Sequence, residues 1–323
     1  MSTMTYANAV KEAMSIRMRE DERVFLMGED VGGPLGGGLG VSIGMSDEFG
    51  TERVRDTPIS ERAFVGAAVG AAATGMRPIA EVMFGDFVTV VMDELCNQAA
   101  KMRYMFGGKV SVPMVVRLPN GAGLRAGAQH SQSLEAWLTH VPGLKVVAPS
   151  NAQDALGLML SAIDDDNPVM YLEHKVLLFS EGEVTDYAPI PLGKGKIVRE
   201  GKDATIVAWG SMVWTALEAA ETLAAEGIEV EIIDPRSLYP FDWEIVENSL
   251  KKTNRILFAS EENKRGAYTG ELAAITAEKY FDLLDAPVAR VGSLNCPIPF
   301  SGALENYVLP NATDVVNAVK TLL

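Results

Sequence analysis

Glu61 and His130 are the residues whose type and setting point most directly to acid–base chemistry. Glu61 follows Asp56-Thr57-Pro58-Ile59-Ser60 and opens a small-residue run from Arg62 to Gly75. The ring of Pro58 pushes Thr57 out of the helical region, so an extended segment ends there. Ser60 reads as an N-cap and the run behind it as a helix. A carboxylate at the mouth of that helix is either an acid favoured by the helix dipole or a group offered to a ligand, and the local pattern favours the dipole. Gly66 and Gly70, four apart, share one face. Interior glycine costs about 1 kcal/mol against alanine, so this spacing predicts the close approach of another backbone. His130 lies in Gly127-Ala128-Gln129-His130-Ser131-Gln132-Ser133 with no apolar periodicity around it. Loops of this kind carry function, although a structural or solvated histidine fits the same pattern. Glu29 and Asp30 follow the apolar stretch Val24-Phe25-Leu26-Met27. They stand either where open α/β sheets bind ligands or in a solvated loop.

Other chemistries are excluded by their missing parts. The loop Gly32 to Gly40 lacks the Lys-Ser/Thr ending of a phosphate-binding P-loop, and no dinucleotide fingerprint with its trailing acid occurs. Gly40-Val41-Ser42-Ile43-Gly44 has the spacing of a nucleophile elbow but follows a glycine loop instead of a hydrophobic strand. Asp164-Asp165-Asp166-Asn167 lacks the length and ligand spacing of an EF-hand. His130, His140 and His174 make no Cys/His cluster, which argues against structural zinc. His140 reads as a turn residue and His174, between Glu173 and Lys175, as an exposed strand end. Cys96 and Cys296 lie far apart, as in a reduced intracellular protein. Lys+Arg 28 against Asp+Glu 43 gives a net charge of −15, which argues against nucleic acid and anionic membrane surfaces. Met1 to Tyr6 lacks signal-peptide character and no apolar run spans a bilayer, so the expected location is the cytoplasm or a matrix-like compartment.

Strand and helix patterns alternate along the chain. A helix over 5–20 precedes the strand at 24–27, and the helix behind Glu61 precedes a strand from Arg77 to Phe84. A single amphipathic helix is expected from Asp86 to Phe106, closed by Gly107-Gly108. Strands at 112–118, 144–149 and 169–173 follow, with Ser150 or Asn151 capping a helix to about Ile163. Residues 175 to 202 lose this regularity, and a second alternating block begins at Ala204. A chain of 323 residues exceeds what one core usually supports. The expected fold class is therefore α/β, with two domains of mostly parallel sheet flanked by helices. The expected boundaries are 1–185 and 203–323, with 186–202 as a linker.

Gly28-Glu29-Asp30-Val31, Asp56 to Glu61, Arg77-Pro78-Ile79, Met105-Phe106-Gly107-Gly108-Lys109, Ala128 to Gln132 and Pro142-Gly143-Leu144-Lys145-Val146-Val147 together resemble one family, in the same order and nearly end to end. It is the β subunit of the thiamine-diphosphate-dependent first component of 2-oxo acid and acetoin dehydrogenase complexes. The resemblance implies a pyrimidine-binding domain followed by a transketolase C-terminal-like assembly domain. It implies that Glu61 bonds the far ring nitrogen of the aminopyrimidine, promoting the imino form that removes the thiazolium proton. It places Phe87 where an aromatic stacks on that ring, Glu29 as an acid close by, and His130 facing the substrate and the incoming lipoyl arm. Met114, Ala162, Asp165 and Asn167 fall where family members hold a structural potassium ion, mainly through backbone carbonyls. Gly85-Asp86-Phe87 is present, but the Gly-Asp-Gly…Asn-Asn segment that grips the diphosphate through magnesium is not. The resemblance therefore implies an α subunit that supplies the Mg2+ site, in an α2β2 heterotetramer that serves a lipoyl-bearing acyltransferase core. Phe106 to Lys109, Gly121 to Arg125 and Glu173-His174-Lys175 look closest to the acetoin-cleaving branch, with pyruvate dehydrogenase next and the branched-chain enzyme third. The alternative of another class is a non-catalytic α/β binding or scaffold module.

Overall fold

A computed structural model describes residues 2–323. The first half runs β1 (Ser2–Thr5), α1 (Tyr6–Glu20), β2 (Val24–Gly28), α2 (Met45–Phe49), β3 (Val54–Asp56), α3 (Glu61–Ala73), β4 (Arg77–Glu81), α4 (Ala100–Met105), β5 (Val115–Asn120), α5 (Glu135–Thr139), β6 (Lys145–Val147), α6 (Ala152–Asp164), β7 (Val169–His174) and β8 (Glu181–Val184). The second runs β9 (Lys196–Arg199), β10 (Ala204–Ala208), α7 (Ser211–Ala224), β11 (Val230–Asp234), β12 (Ser237–Tyr239), α8 (Trp243–Thr253), β13 (Ile256–Asn263), α9 (Tyr268–Lys279), β14 (Ala289–Ser293), α10 (Gly302–Val308) and α11 (Ala312–Lys320).

Strands β2, β5 and β7 are buried along their whole length. Continuous burial is what a parallel sheet covered on both faces demands. The larger sheet has the order β12-β6-β7-β5-β4-β2-β3 and the smaller β14-β13-β10-β11-β9. Both are parallel except at one edge, where β12 and β9 run antiparallel. The two-domain α/β class is therefore the observed one. The segment 186–202 is not bare, since it supplies β9 to the smaller sheet. Residues 237–239 cross back to extend the larger one.

Helices α1 and α6 pack together on one face of the larger sheet, with Tyr6, Met14, Leu156 and Met159 in a buried cluster. The opposite face, which carries Phe64 and Val65 of α3, shares a single apolar cluster with Trp209, Val246, Phe258 and Leu272 of the second half. Within α3 the glycine face behaves differently from expectation. A Cβ on Gly70 would meet nothing, and one on Gly66 would meet only the Glu94 side chain at 3.5 Å. Among the described residues no other backbone comes within 4 Å of those Cβ positions, and Ala63, Ala67 and Gly70 are exposed. Asn151 caps α6 as expected, accepting from the Asp154 amide. Ser60 precedes α3 but its side chain makes no cap bond, and its carbonyl accepts from Ala63 and Phe64 instead.

The single helix expected from Asp86 to Phe106 is three pieces: a 3-10 turn over Gly85–Val90, a π turn over Glu94–Ala99, and α4. The β-branched run Val88-Thr89-Val90-Val91 is a poor helix former, and π turns cluster near functional sites.

Candidate active site

Every predicted acid–base residue stands at the carboxyl edge of the larger sheet. Glu29 follows β2, Glu61 follows β3, Phe84 to Phe87 follow β4, His130 lies in the loop after β5, and Lys175 follows β7. Parallel strands present all their carboxyl ends to one side, which is where open α/β sheets form crevices. Register fixes the ends: Gly28 lies opposite both Asp56 and Glu81, and the Thr57 amide donates to the Gly28 carbonyl at 2.9 Å.

Glu29 is 5% exposed, and its Oε1 has no hydrogen-bond partner. Burial, then the neighbouring carboxylates of Glu61 and Asp30, push its pKa up, while the Ser60 amide opposes them. Glu61 is half-buried at the first position of α3. Two carboxyl groups thus stand close together, and the negative charge of Glu61 adds to burial in raising the pKa of Glu29. The orphaned Glu29 oxygen is the kind of buried polar atom that a ligand satisfies.

A second group gathers around His130. Its imidazole packs edge-on against Phe84, with centroids 4.6 Å apart, and against Phe87 at 5.5 Å. The loop behind it is fastened by Asp86, which accepts from the Gln132 amide at 3.0 Å and from Gln132 Nε2 at 2.9 Å. Asp86 is therefore a loop anchor. Lys175 Nζ donates to the His130 carbonyl at 2.6 Å.

Residues 2–180 match the transketolase pyrimidine-binding domain and residues 193–315 the transketolase C-terminal domain. The acetoin:2,6-dichlorophenolindophenol oxidoreductase subunit beta of Bacillus subtilis is 50% identical, over 99% of this chain and 97% of its own. The pyruvate dehydrogenase E1 component subunit beta of Rhizobium meliloti is 45% identical, over 100% of this chain and 70% of its own. The chain belongs to this transketolase-like family of dehydrogenase β subunits. A solved split-gene transketolase, described as an inactive β4 tetramer, superimposes with a TM-score of 0.81 at 26% identity, covering 99% of this chain and 98% of that one.

In this transketolase-like β subunit, Glu29 and Glu61 come together, as do Phe87 and His130. Met114, Ala162, Asp165 and Asn167 lie elsewhere, at the amino ends of β5 and β7 and the close of α6. There the Met114 carbonyl accepts from the Val169 amide, and the Asp165 carbonyl accepts from Arg77 at 3.1 Å. Lys145 pairs with the Asp165 carboxylate, and Arg77 with Asp166 at 2.6 Å. With those carboxylates paired to cationic side chains, the oxygens left to a cation at these four residues are carbonyls.

Sequence reasoning missed several residues. His174 is not an exposed strand end: it is 7% exposed, and its Nε2 lies 3.0 Å from Glu261 of the second half. Arg117 on β5 is fully buried between Glu81 on β4 and Glu173 on β7, bonding Glu173 at 2.6 and 2.8 Å. Glu81 in turn accepts from the Gly38 amide at 2.8 Å, tying the glycine loop to the sheet. The overlooked signal was a charged residue inside three otherwise apolar strands: Glu81, Arg117 and Glu173. Ser42, the elbow serine, is buried and donates to the Val31 carbonyl, so it is no nucleophile.

Proposed function

We propose that this chain is the β half of a thiamine-diphosphate-dependent enzyme that cleaves acetoin and passes the acyl unit to a lipoyl group. The observation that carries the reading is the meeting of Glu29, Glu61, Phe87 and His130 on one sheet edge, in a chain lacking the diphosphate-binding segment. When bound, thiamine diphosphate supplies a carbon that attacks the substrate carbonyl and stores the resulting electron pair. Glu61 would hold a proton towards the far nitrogen of the aminopyrimidine, and Phe87 would stack on that ring. Glu29, whose burial favours the protonated state, would complete the acid pair. His130 would orient the substrate and the incoming lipoyl sulfur.

Residues 1–185 then form the aminopyrimidine-binding domain and 203–323 the assembly domain, joined by 186–202. An α subunit completes the site and brings Mg2+, giving an α2β2 heterotetramer that serves an acyltransferase core in the cytoplasm. The bare glycine face of α3 is a surface for that partner, because small residues admit a close neighbour. The inactive β-only relative supports the need for a second subunit. Potassium at Met114, Ala162, Asp165 and Asn167 stiffens the far end of the sheet. Its sign would be a higher melting temperature in potassium than in choline chloride. No helix among the described residues is long and apolar enough to cross a membrane.

The test is to mix the chain with its α partner, thiamine diphosphate and Mg2+, and follow dichlorophenolindophenol reduction. Activity on acetoin above that on pyruvate or branched-chain 2-oxo acids supports the reading, and activity led by pyruvate moves the chain to the second branch. No cofactor-dependent reduction with any of them favours a non-catalytic module.

A further inference from the structure

We propose that Lys175 is the positioning residue that holds His130 and its loop in place, an assignment that rests on the role given to His130 above. Lys175 leaves the end of β7, and its side chain is entirely buried. From one point its ammonium reaches three parts of the His130 environment. It donates to the His130 carbonyl at 2.6 Å. It sits 5.4 Å from the centroid of the Phe84 ring, the ring that meets the imidazole edge-on. It also lies 3.8 Å from Asp86 Oδ2, an atom with no hydrogen bond of its own, while Asp86 Oδ1 takes both bonds from Gln132. One charge thus bears on the histidine backbone, on its packing partner, and on the acid that fastens the next turn of the loop.

A buried ammonium is costly unless its surroundings satisfy it. Here the facing groups are Asp86 on its own side and Glu261 and Glu305 from the second half. Burial nevertheless outweighs them and lowers the Lys175 pKa to about 8. The neutral amine keeps the bond to the His130 carbonyl but loses the attraction of Asp86 and the Phe84 face. The loop therefore loosens as pH rises through about 8.

Hydrogen–deuterium exchange on the full chain tests the positioning without requiring turnover. In Lys175→Met, peptides covering 127–133 should exchange about tenfold faster while β5 and β10 stay protected. Lys175→Arg should restore most of the protection. Lys175→Met/Asp86→Asn removes both charges and keeps the test open if the single variant folds poorly; it should loosen the same peptides. Unchanged exchange at 127–133 in a folded variant, or a uniform rise that includes β5, overturns the inference. In the α-containing complex, Lys175→Met should lower kcat for lipoyl acylation by about tenfold or more, with KM for acetoin and cofactor affinity little changed. Faster exchange in a system whose wild-type complex turns over nothing would leave the positioning standing and remove the functional reading.

Discussion

Glu61 and His130 occupy the same sheet edge but differ in what surrounds them, and their substitutions should separate accordingly. Glu61 is half-buried beside the Glu29 carboxyl group, whose pKa burial raises. Glu61→Gln keeps the shape and a hydrogen-bond acceptor while removing the acid. Assembly with the α subunit, followed by size-exclusion chromatography, should be unchanged, and turnover should fall about 100-fold or more. Wild-type turnover in that variant would remove the role assigned to Glu61. His130 instead packs between two phenylalanines with its backbone tied down. His130→Ala should therefore weaken lipoyl acylation more than thiamine diphosphate binding, measured by single-turnover acylation and by fluorescence quenching. Equal loss of both would mark the histidine as structural.

At the scale of elements, the line Glu81–Arg117–Glu173 joins three adjacent parallel strands beneath the site. Its central guanidinium answers two carboxylates, both 2% exposed or less. Breaking such a group by removing one partner leaves uncompensated charge and typically costs about 3–5 kcal/mol. Arg117→Met should lower the urea midpoint accordingly, and Arg117→Met/Glu81→Gln/Glu173→Gln should recover much of the loss. The glycine loop depends on the same line, since Gly37 has φ +79° and a Cβ there would strike the Glu81 carboxylate. Helix α3 makes the opposite prediction. Gly70 faces open space in this chain. Gly70→Leu should therefore leave the isolated chain at least as stable, within about 1 kcal/mol, while preventing assembly with the α subunit. Normal assembly would show that the glycine face is not a contact.

Across the whole molecule, the two halves are joined by a shared apolar cluster and by buried acids. Glu261 accepts from the Ala122 amide at 2.6 Å and from Ser133 and Ser211 hydroxyls at 3.3 Å, beside His174. Burial alone would raise its pKa, but His174, the Ala122 amide and the Ser211 hydroxyl hold it at about 2. Glu135 and Asp234 go the other way, both lifted to about 7 chiefly by burial. The signs follow from proton linkage. A group with a raised folded pKa binds protons more tightly when folded. Glu135 therefore makes the chain less stable as pH rises from about 4.5 towards 7, and Asp234 does so as pH rises from about 3.8 towards 7. The contribution of Glu261 is present above about 4.5 and is lost as pH falls towards 2. Melting temperatures of wild type and Glu135→Gln between pH 4 and 8, bracketing the ordinary and raised carboxyl values, should show a flatter decline for the variant. Parallel curves would place the linkage elsewhere.

Local patterns determined much of this protein. Alternation of apolar runs with amphipathic ones specified two α/β blocks, because parallel strands must be buried on both faces and helices on one. The pair Ser150-Asn151 announced its helix, since a cap acts within three residues, and the structure gives the cap to Asn151. The order of short motifs pointed to the family and to Glu29, Glu61, Phe87 and His130. Beyond that range the sequence falls silent. Strand β12 has three residues, too few for a period, and it pairs with a strand about 90 positions earlier. The fastening of Asp86 to Gln132, 46 positions later, is equally beyond a local pattern. His174 reads as exposed because a polar residue at a strand end is usually solvated, and nothing local singles out Lys175. Only tertiary structure brought Glu261 to one and Asp86 to the other, and with them the burial that changes what both residues do. The lysine is fully enclosed because a loop from β5 and a turn from β4 close over it. Spacing along one segment cannot encode a meeting of three strand ends.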